Sequence, residues 1–212
     1  VKPVVSSSRY YPYGENVVHV VGYVGQASLK DIDRIKEIKE NLVPGLKVGK
    51  SGIEFSNEKL LIGKYGIKRY EVNSSGKRIS QLEYIKESQG NKIKTTIDLE
   101  IQKFAQQLLK GKAGSICVMD IYTGEVIAMA SSPTYDPNKF THGINHKDWN
   151  EIRDNPLKPL VNKSIAGLYS PGSTIKPLVA FAALEHGILS PNFKVRCKGH
   201  VEMYGQKYHC WK

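Results

Sequence analysis

Apolar positions along the chain change their spacing several times, and each change predicts an element. Val17, Val18, Val20, Val21 and Val24 follow the turn-forming Tyr11-Pro12-Tyr13-Gly14, so residues 9–25 read as a loop leading into a strand. Residues 28–42 set Ile32, Ile35 and Ile38 on one side and Lys and Glu on the other, the pattern of a charged surface helix. Arg69 to Asn73 and Lys77 to Leu82 flank Asn73-Ser74-Ser75-Gly76 and predict a hairpin. Lys92 to Ile97 predicts a short strand, and Asp98 then caps a helix whose stripe is Ile101, Phe104, Ala105 and Leu108. Gly114 to Asp120 and Gly124 to Ser131 predict a second hairpin, at one side of a central sheet. Loop-forming prolines follow, with a short helix over Asp148 to Arg153. Ile175, Leu178, Val179, Ala182 and Ala183 then predict an apolar helix, and Gly187 reads as its stop. The fold class is α+β.

The start of that last helix carries the clearest chemistry. Tyr169-Ser170-Pro171-Gly172 breaks the chain just before Ser173, which places Ser173 in the first turn. Lys176 lies three residues on, and residues i and i+3 share a helix face. A serine hydroxyl becomes a good nucleophile when a neighbour takes its proton, and a lysine amine serves if its surroundings lower its pKa. The helix N-terminus offers free N–H groups to a developing oxyanion. The bare Ser-x-x-Lys pattern is weak. It recurs at Ser56…Lys59 and Ser74…Lys77, and an ordinary N-cap serine is the competing reading for Ser173. Only Ser173 opens an apolar helix after a Pro-Gly break.

Pro171-Gly172-Ser173-Thr174-Ile175-Lys176-Pro177 resembles the active-site serine motif of the class B penicillin-binding proteins, the peptidoglycan transpeptidases. Val118-Met119-Asp120, Thr123 to Ser131, Tyr135-Asp136-Pro137-Asn138-Lys139-Phe140 and Pro159-Leu160-Val161-Asn162-Lys163 match the same family in order and spacing. So do Arg9 to Gly14, Gly52-Ile53-Glu54, and Glu58, Gly63 and Gly66. Asn57 departs from the pattern, standing where an aromatic residue is expected. The resemblance runs from Arg9 to Lys212 and points to the cell-elongation branch. It implies a β-rich pedestal, or dimerisation, domain over residues 1–94 and the N-terminal part of a transpeptidase domain over residues 95–212.

The implied catalytic residues are Ser173 as nucleophile and Lys176 as general base. The implied reaction is cross-linking of stem peptides through an acyl-serine intermediate, with β-lactams acylating the same serine. Two further family motifs, Ser-x-Asn and Lys-Thr-Gly, are expected after the nucleophile. Ser190-Pro191-Asn192 comes too soon after Ser173, and Lys50-Ser51-Gly52 precedes it. Both read as decoys, so the chain reads as a piece of a longer enzyme, inactive by itself. A carboxypeptidase or β-lactam sensor on the same scaffold, and a non-catalytic piece acting only through its pedestal, are the alternatives. Expected partners are peptidoglycan stem peptides, β-lactams, a RodA-like glycosyltransferase and other elongation-complex proteins.

The net charge of +11 suits an anionic partner or a solvated basic surface. Zinc-finger spacing and RNA-binding aromatic signatures are missing, which disfavours nucleic acid. No run approaches the ~18 to 20 apolar residues of a membrane span. The resemblance implies an anchor upstream of this sequence and a location on the periplasmic face of the bacterial inner membrane.

Cys117 lies in a predicted strand and reads as a core thiol. Cys197 and Cys210 are compatible with a disulfide, with free thiols, or with two ligands of a structural zinc. The resemblance implies zinc, because some members carry a metal site just after the serine helix at these positions. No cofactor is implied for catalysis. His200 and His209 read as surface residues.

Overall fold

The computed structural model describes residues 8–34 and 45–210. The chain divides into two compact units, Val1–Gly167 and Leu168–Lys212. Helices and strands are mixed, as α+β requires, and each described strand pairs antiparallel with one neighbour.

The first unit opens differently from the expected strand. After a 3-10 turn at Gly14–Asn16 comes a single helical turn, α1 (Val18–Val21). The strand β1 is confined to Val24–Gln26 and pairs with β2 (Lys47–Gly49). Packing outweighs the β-branched propensity here. The Val17 carbonyl accepts from the Val20 and Val21 N–H groups at 2.9 and 2.8 Å. The turn thereby buries Val18 against Tyr135 and Phe140, with Tyr23, Ile144 and Trp149 around them. Gly22 ends the turn at φ +82°, and a Cβ there would lie 1.8 Å from the Ser51 carbonyl oxygen. No other residue fits that approach.

The charged helix appears as α2 (Leu29–Arg34), with Ile32 packed against Leu46 and Val48. Ile35 and Ile38 lie outside the described residues. Two short helices follow, α3 (Gly52–Ser56) and α4 (Glu58–Leu61). The predicted hairpin forms from β3 (Ile67–Val72) and β4 (Arg78–Ile85). Its turn is closed by Gly76 N–H on the Asn73 carbonyl (2.9 Å), and Asn73 Oδ1 accepts from the Lys77 N–H (2.9 Å).

Among the described residues, Lys92 to Ile97 joins no strand ladder. It is tied to the later hairpin at two points: Thr96 Oγ1 donates to the Val126 carbonyl at 2.7 Å, and Asp98 N–H to that of Ile127 at 2.8 Å. Asp98 caps α5 (Leu99–Leu108) through the Glu100 and Ile101 N–H groups, as expected. The face that α5 buries is Gln102, Ala105 and, just beyond it, Leu109, which pack on the hairpin of β5 (Gly114–Met119) and β6 (Val126–Ser132). Ile101, Phe104 and Leu108, three of the four predicted stripe residues, are exposed among the described residues. Gln102 is buried because its amide is saturated. Nε2 donates to the Asn16 and Met129 carbonyls and Oε1 accepts from Met129 N–H, at 2.8 to 3.1 Å. A side chain that satisfies its own polar atoms can replace an apolar one in a core.

Cys117 is exposed, not a core thiol. Side chains alternate along β5, and Ile116 takes the face toward Ala105 and Leu109. Cys117 therefore points to the opposite face. The unit ends with α6 (Asn138–Thr141), α7 (His146–Arg153) over the predicted short helix, and α8 (Lys163–Ala166). The second unit holds a 3-10 turn at Gly172–Ile175, α9 (Lys176–Glu185) and the hairpin of β7 (His200–Met203) and β8 (Gln206–His209).

Candidate active site

Ser173 sits where the Pro-Gly break predicts, in a helical first turn. Gly172 takes φ +53°, a conformation that costs a side-chain-bearing residue, and a Cβ there would meet open space. The turn is closed by Thr174 N–H on the Pro171 carbonyl at 3.2 Å and by the Thr174 hydroxyl on the same oxygen. Lys176 N–H bonds to the Ser173 carbonyl, so the 3-10 turn runs straight into α9. Pro177 falls in the first turn of α9, where its missing N–H costs nothing. Gly187, at φ +65°, ends the helix.

Ser173 and Lys176 are both exposed, three residues apart on this path. No hydrogen bond joins their side chains among the described residues. Leu178, Val179, Phe181 and Leu184 are also exposed, at 65, 61, 65 and 42%. A helix apolar on every side is one built to be enclosed.

The other two Ser-x-x-Lys sequences are placed differently. Ser56 ends α3 and donates its hydroxyl to the Gly52 carbonyl at 3.1 Å. Ser74 lies in the Asn73–Gly76 turn of the β3–β4 hairpin. Lys50 of Lys50-Ser51-Gly52 is paired with Asp31 at 2.5 Å. Ser190-Pro191-Asn192 forms the turn after α9, with Phe193 N–H on the Ser190 carbonyl at 3.0 Å.

Cys197 and Cys210 are brought together by the β7–β8 hairpin. Their sulfurs are 3.0 Å apart, and Cys210 N–H bonds to the Gly199 carbonyl at 2.9 Å. The thiol–thiol hydrogen bond and a Gly199 backbone bond lower the Cys197 pKa; the same thiol contact raises that of Cys210. His200 faces His209 across the ladder, with ring centroids at 6.0 Å. Among the described residues no cluster of three or more Cys, His, Asp or Glu could hold a metal.

The first unit holds a polar junction whose motifs were visible in the sequence but whose pairing was not. Glu54 of Gly52-Ile53-Glu54 is buried, and Arg9 grips its carboxylate through Nε (2.8 Å) and Nη2 (3.1 Å). The Tyr11 hydroxyl donates to Glu54 at 3.3 Å and accepts from Val24 N–H at 2.9 Å. Burial, with the Glu54 charge beside it, pushes the Tyr11 pKa well up. Asn138 brackets the Tyr11 backbone: its Oδ1 accepts from Tyr11 N–H at 2.9 Å, and its Nδ2 donates to the Tyr11 carbonyl at 3.1 Å. Arg9, Glu54 and Asn138 are up to 129 residues apart in sequence, beyond any local pattern.

His19 is enclosed beside Tyr135, near the Pro133 carbonyl. Burial lowers its pKa to about 4; the Pro133 bond opposes this and the Lys163 charge adds to it. The folded state therefore holds His19 neutral while the unfolded chain protonates it near pH 6.5. Unfolded chains bind the extra proton between those values, so stability falls as pH drops from about 6.5 to about 4. The His19 contribution to that fall is about 3 kcal/mol. Urea titrations at pH 7 and pH 4.5 check it. A His19→Gln variant should lose much less stability over that interval than the parent protein.

The family model of the penicillin-binding protein dimerisation domain matches residues 1–95, and that of the penicillin-binding protein transpeptidase domain matches residues 114–212. The chain belongs to the penicillin-binding protein family. It is 38% identical over 208 residues to the peptidoglycan D,D-transpeptidase MrdA of Escherichia coli K12, covering 96% of this chain and 33% of that protein. It is 35% identical to penicillin-binding protein 3 of Bacillus subtilis over 91% of this chain and 28% of that one. Among solved structures it is similar to Helicobacter pylori PBP2 in its complex with MreC. That match has a TM-score of 0.80 and 36% identity, and covers 97% of this chain and 38% of that one. Pseudomonas aeruginosa PBP2 in complex with WCK 5153 gives a TM-score of 0.80 at 35% identity, over 99% of this chain and 43% of that one. The chain thus spans about a third of the length of its MrdA relatives. Within the family it is PBP2/MrdA-like.

Proposed function

We propose that this chain is the pedestal and serine-bearing part of a peptidoglycan D,D-transpeptidase of cell elongation. The observation that carries the reading is Ser173 in the first turn of an apolar helix with Lys176 three residues on, in a chain 38% identical to MrdA. The boundary between pedestal and transpeptidase domain falls near Lys94.

In this reading Lys176 Nζ takes the Ser173 hydroxyl proton as Oγ attacks the carbonyl of the D-alanyl-D-alanine bond. The peptide C–N bond breaks, the proton goes to the leaving D-alanine amine, and an acyl-serine ester remains. An amine on a neighbouring stem peptide then attacks the ester, forms the cross-link and returns the serine hydroxyl. The Ser173 N–H supplies half of the oxyanion hole. β-Lactams acylate the same oxygen. The protein works on the periplasmic face of the inner membrane, with a RodA-like glycosyltransferase and an MreC-type protein as pedestal partners; the MreC complex of the H. pylori relative supports the latter.

The test uses the full-length protein, a synthetic pentapeptide ending in D-alanyl-D-alanine and an amine acceptor. D-Alanine release with acceptor-dependent dimer formation supports transpeptidation. Release without dimer identifies a carboxypeptidase, and no release at any acceptor concentration overturns the enzyme reading.

The resemblance also implies a structural zinc. Cys197 and Cys210 fit as two adjacent soft donors at the base of a hairpin, and such a metal takes four ligands. A bound zinc would hold the segment after α9 to that hairpin. The expected result is about one equivalent of zinc in the full-length protein by elemental analysis, lost in Cys197→Ser and Cys210→Ser. Metal-free protein with both thiols oxidised would assign the pair to a disulfide instead.

A further inference from the structure

Most residues of the β3–β4 hairpin in the pedestal are exposed, and its register sorts its charges by face. Residues directly opposite share a face, and alternate residues along a strand lie on the same one. Arg69 stands opposite Glu83 and Glu71 opposite Ser80, so both acids of the ladder lie on one face. Both are engaged there: Arg69 Nη1 meets the Glu83 carboxylate at 2.8 Å, and Ser80 Oγ donates to that of Glu71 at 2.8 Å. The other face carries the pairs Lys68–Tyr84, Tyr70–Gln81 and Val72–Arg78. Those pairs hold two cations and no acid.

The tyrosines hold the two cations in place. The Arg78 guanidinium lies over the Tyr70 ring, 4.3 Å from its centroid, and Lys68 Nζ lies over the Tyr84 ring at 5.2 Å. Neither cation has a carboxylate partner among the described residues. Stacking on a ring orders a cation and leaves N–H donors for an anion.

The surroundings narrow the class of anion. Each ring already carries a cation, which makes it a poor platform for a sugar ring or a base. The tip of the hairpin, Asn73-Ser74-Ser75-Gly76, is polar, so no apolar end leads into a bilayer. Exposed aliphatic side chains flank the cations instead. Val72 shares their face, and Ile79 and Leu82 are the two residues that the ladder skips in β4. Cations beside exposed aliphatics along a ribbon match an extended polypeptide that carries carboxylates and apolar side chains together.

We propose that this face of the β3–β4 hairpin docks an extended acidic segment of a partner protein, with Arg78 and Lys68 binding its carboxylates. The chemistry at Ser173 plays no part in it.

The experiment follows the fluorescence anisotropy of a short labelled peptide of alternating glutamate and valine, titrated with the full-length protein at physiological ionic strength. A lysine–valine peptide of the same length is the charge-reversed control. Arg78→Gln should weaken binding of the glutamate peptide about fivefold, and Arg78→Gln with Lys68→Gln more than about tenfold. Arg69→Gln removes one cation from the opposite face and should stay within about twofold, because a charge at that distance is screened. That pattern, with no binding of the lysine peptide, supports the assignment. No binding of the glutamate peptide overturns it, as do parental affinity in the double variant and an equal loss in Arg69→Gln. Phosphatidylglycerol vesicles are tested alongside. Vesicle binding that falls in the double variant, with no peptide binding, assigns the face to lipid and also overturns the proposal.

Discussion

Ser173→Ala in the full-length protein is expected to abolish covalent labelling by penicillin. The adduct is an ester to a hydroxyl oxygen, and no other group can replace that atom at the same place. Loss of a catalytic serine costs several orders of magnitude in rate. Ser56→Ala and Ser74→Ala serve as matched controls. Ser56 Oγ is engaged with the Gly52 carbonyl inside α3, and Ser74 sits in a hairpin turn, so neither opens a helix. Both variants should label at the parental rate. Lys176→Ala should also slow acylation severely while leaving the fold intact, because its side chain is exposed and makes no ion pair among the described residues.

Arg9→Met is expected to destabilise the protein by about 3 kcal/mol. Glu54 is 5% exposed, and Arg9 supplies two of its contacts. Removing the guanidinium leaves a buried carboxylate supported by the Tyr11 hydroxyl, which is the costly way to break a buried pair. The 39% exposure of the Arg9 side chain keeps the effect below the upper end of the usual range for such pairs. Arg9→Met combined with Glu54→Gln removes the stranded charge and should recover more than half of the loss. Thermal and urea unfolding monitored by circular dichroism measure both. A midpoint unchanged in Arg9→Met would show that the pair does not hold the junction.

Elements governed by local chemistry were legible in the sequence. Asn73-Ser74-Ser75-Gly76 contains its own turn, with an Asn side chain that bonds the next backbone groups and a glycine at φ +73°. Asp98 caps α5 wherever that helix packs. The Pro-Gly break before Ser173 delivers the serine to a helix start through local bonds, Thr174 N–H to the Pro171 carbonyl and Lys176 N–H to that of Ser173.

The readings that failed were those decided by distant partners. Val17 to Val21 carries strand propensity, yet Tyr135 and Phe140 give Val18 a pocket that a helical turn fills. On α5 the apolar stripe predicted the wrong face. Gln102 outcompetes Ile101 and Phe104 for the interior because β6 and Asn16 meet every polar atom of its amide. The apolar neighbours of Cys117 predict a core thiol, and strand alternation sends it to the other face. The Arg9–Glu54 pair joins residues 45 positions apart, and Asn162 reaches His19 across 143. Their motifs are local in sequence, but what each motif touches is set by the tertiary fold.

The most direct test of the central claim is peptide mapping of the full-length protein after reaction with penicillin. The protein is digested and the adduct located by tandem mass spectrometry. The account predicts one penicilloyl group per chain, on Ser173 within the peptide that contains Pro171-Gly172-Ser173. An adduct on any other residue, with Ser173 unmodified at full labelling, would contradict it.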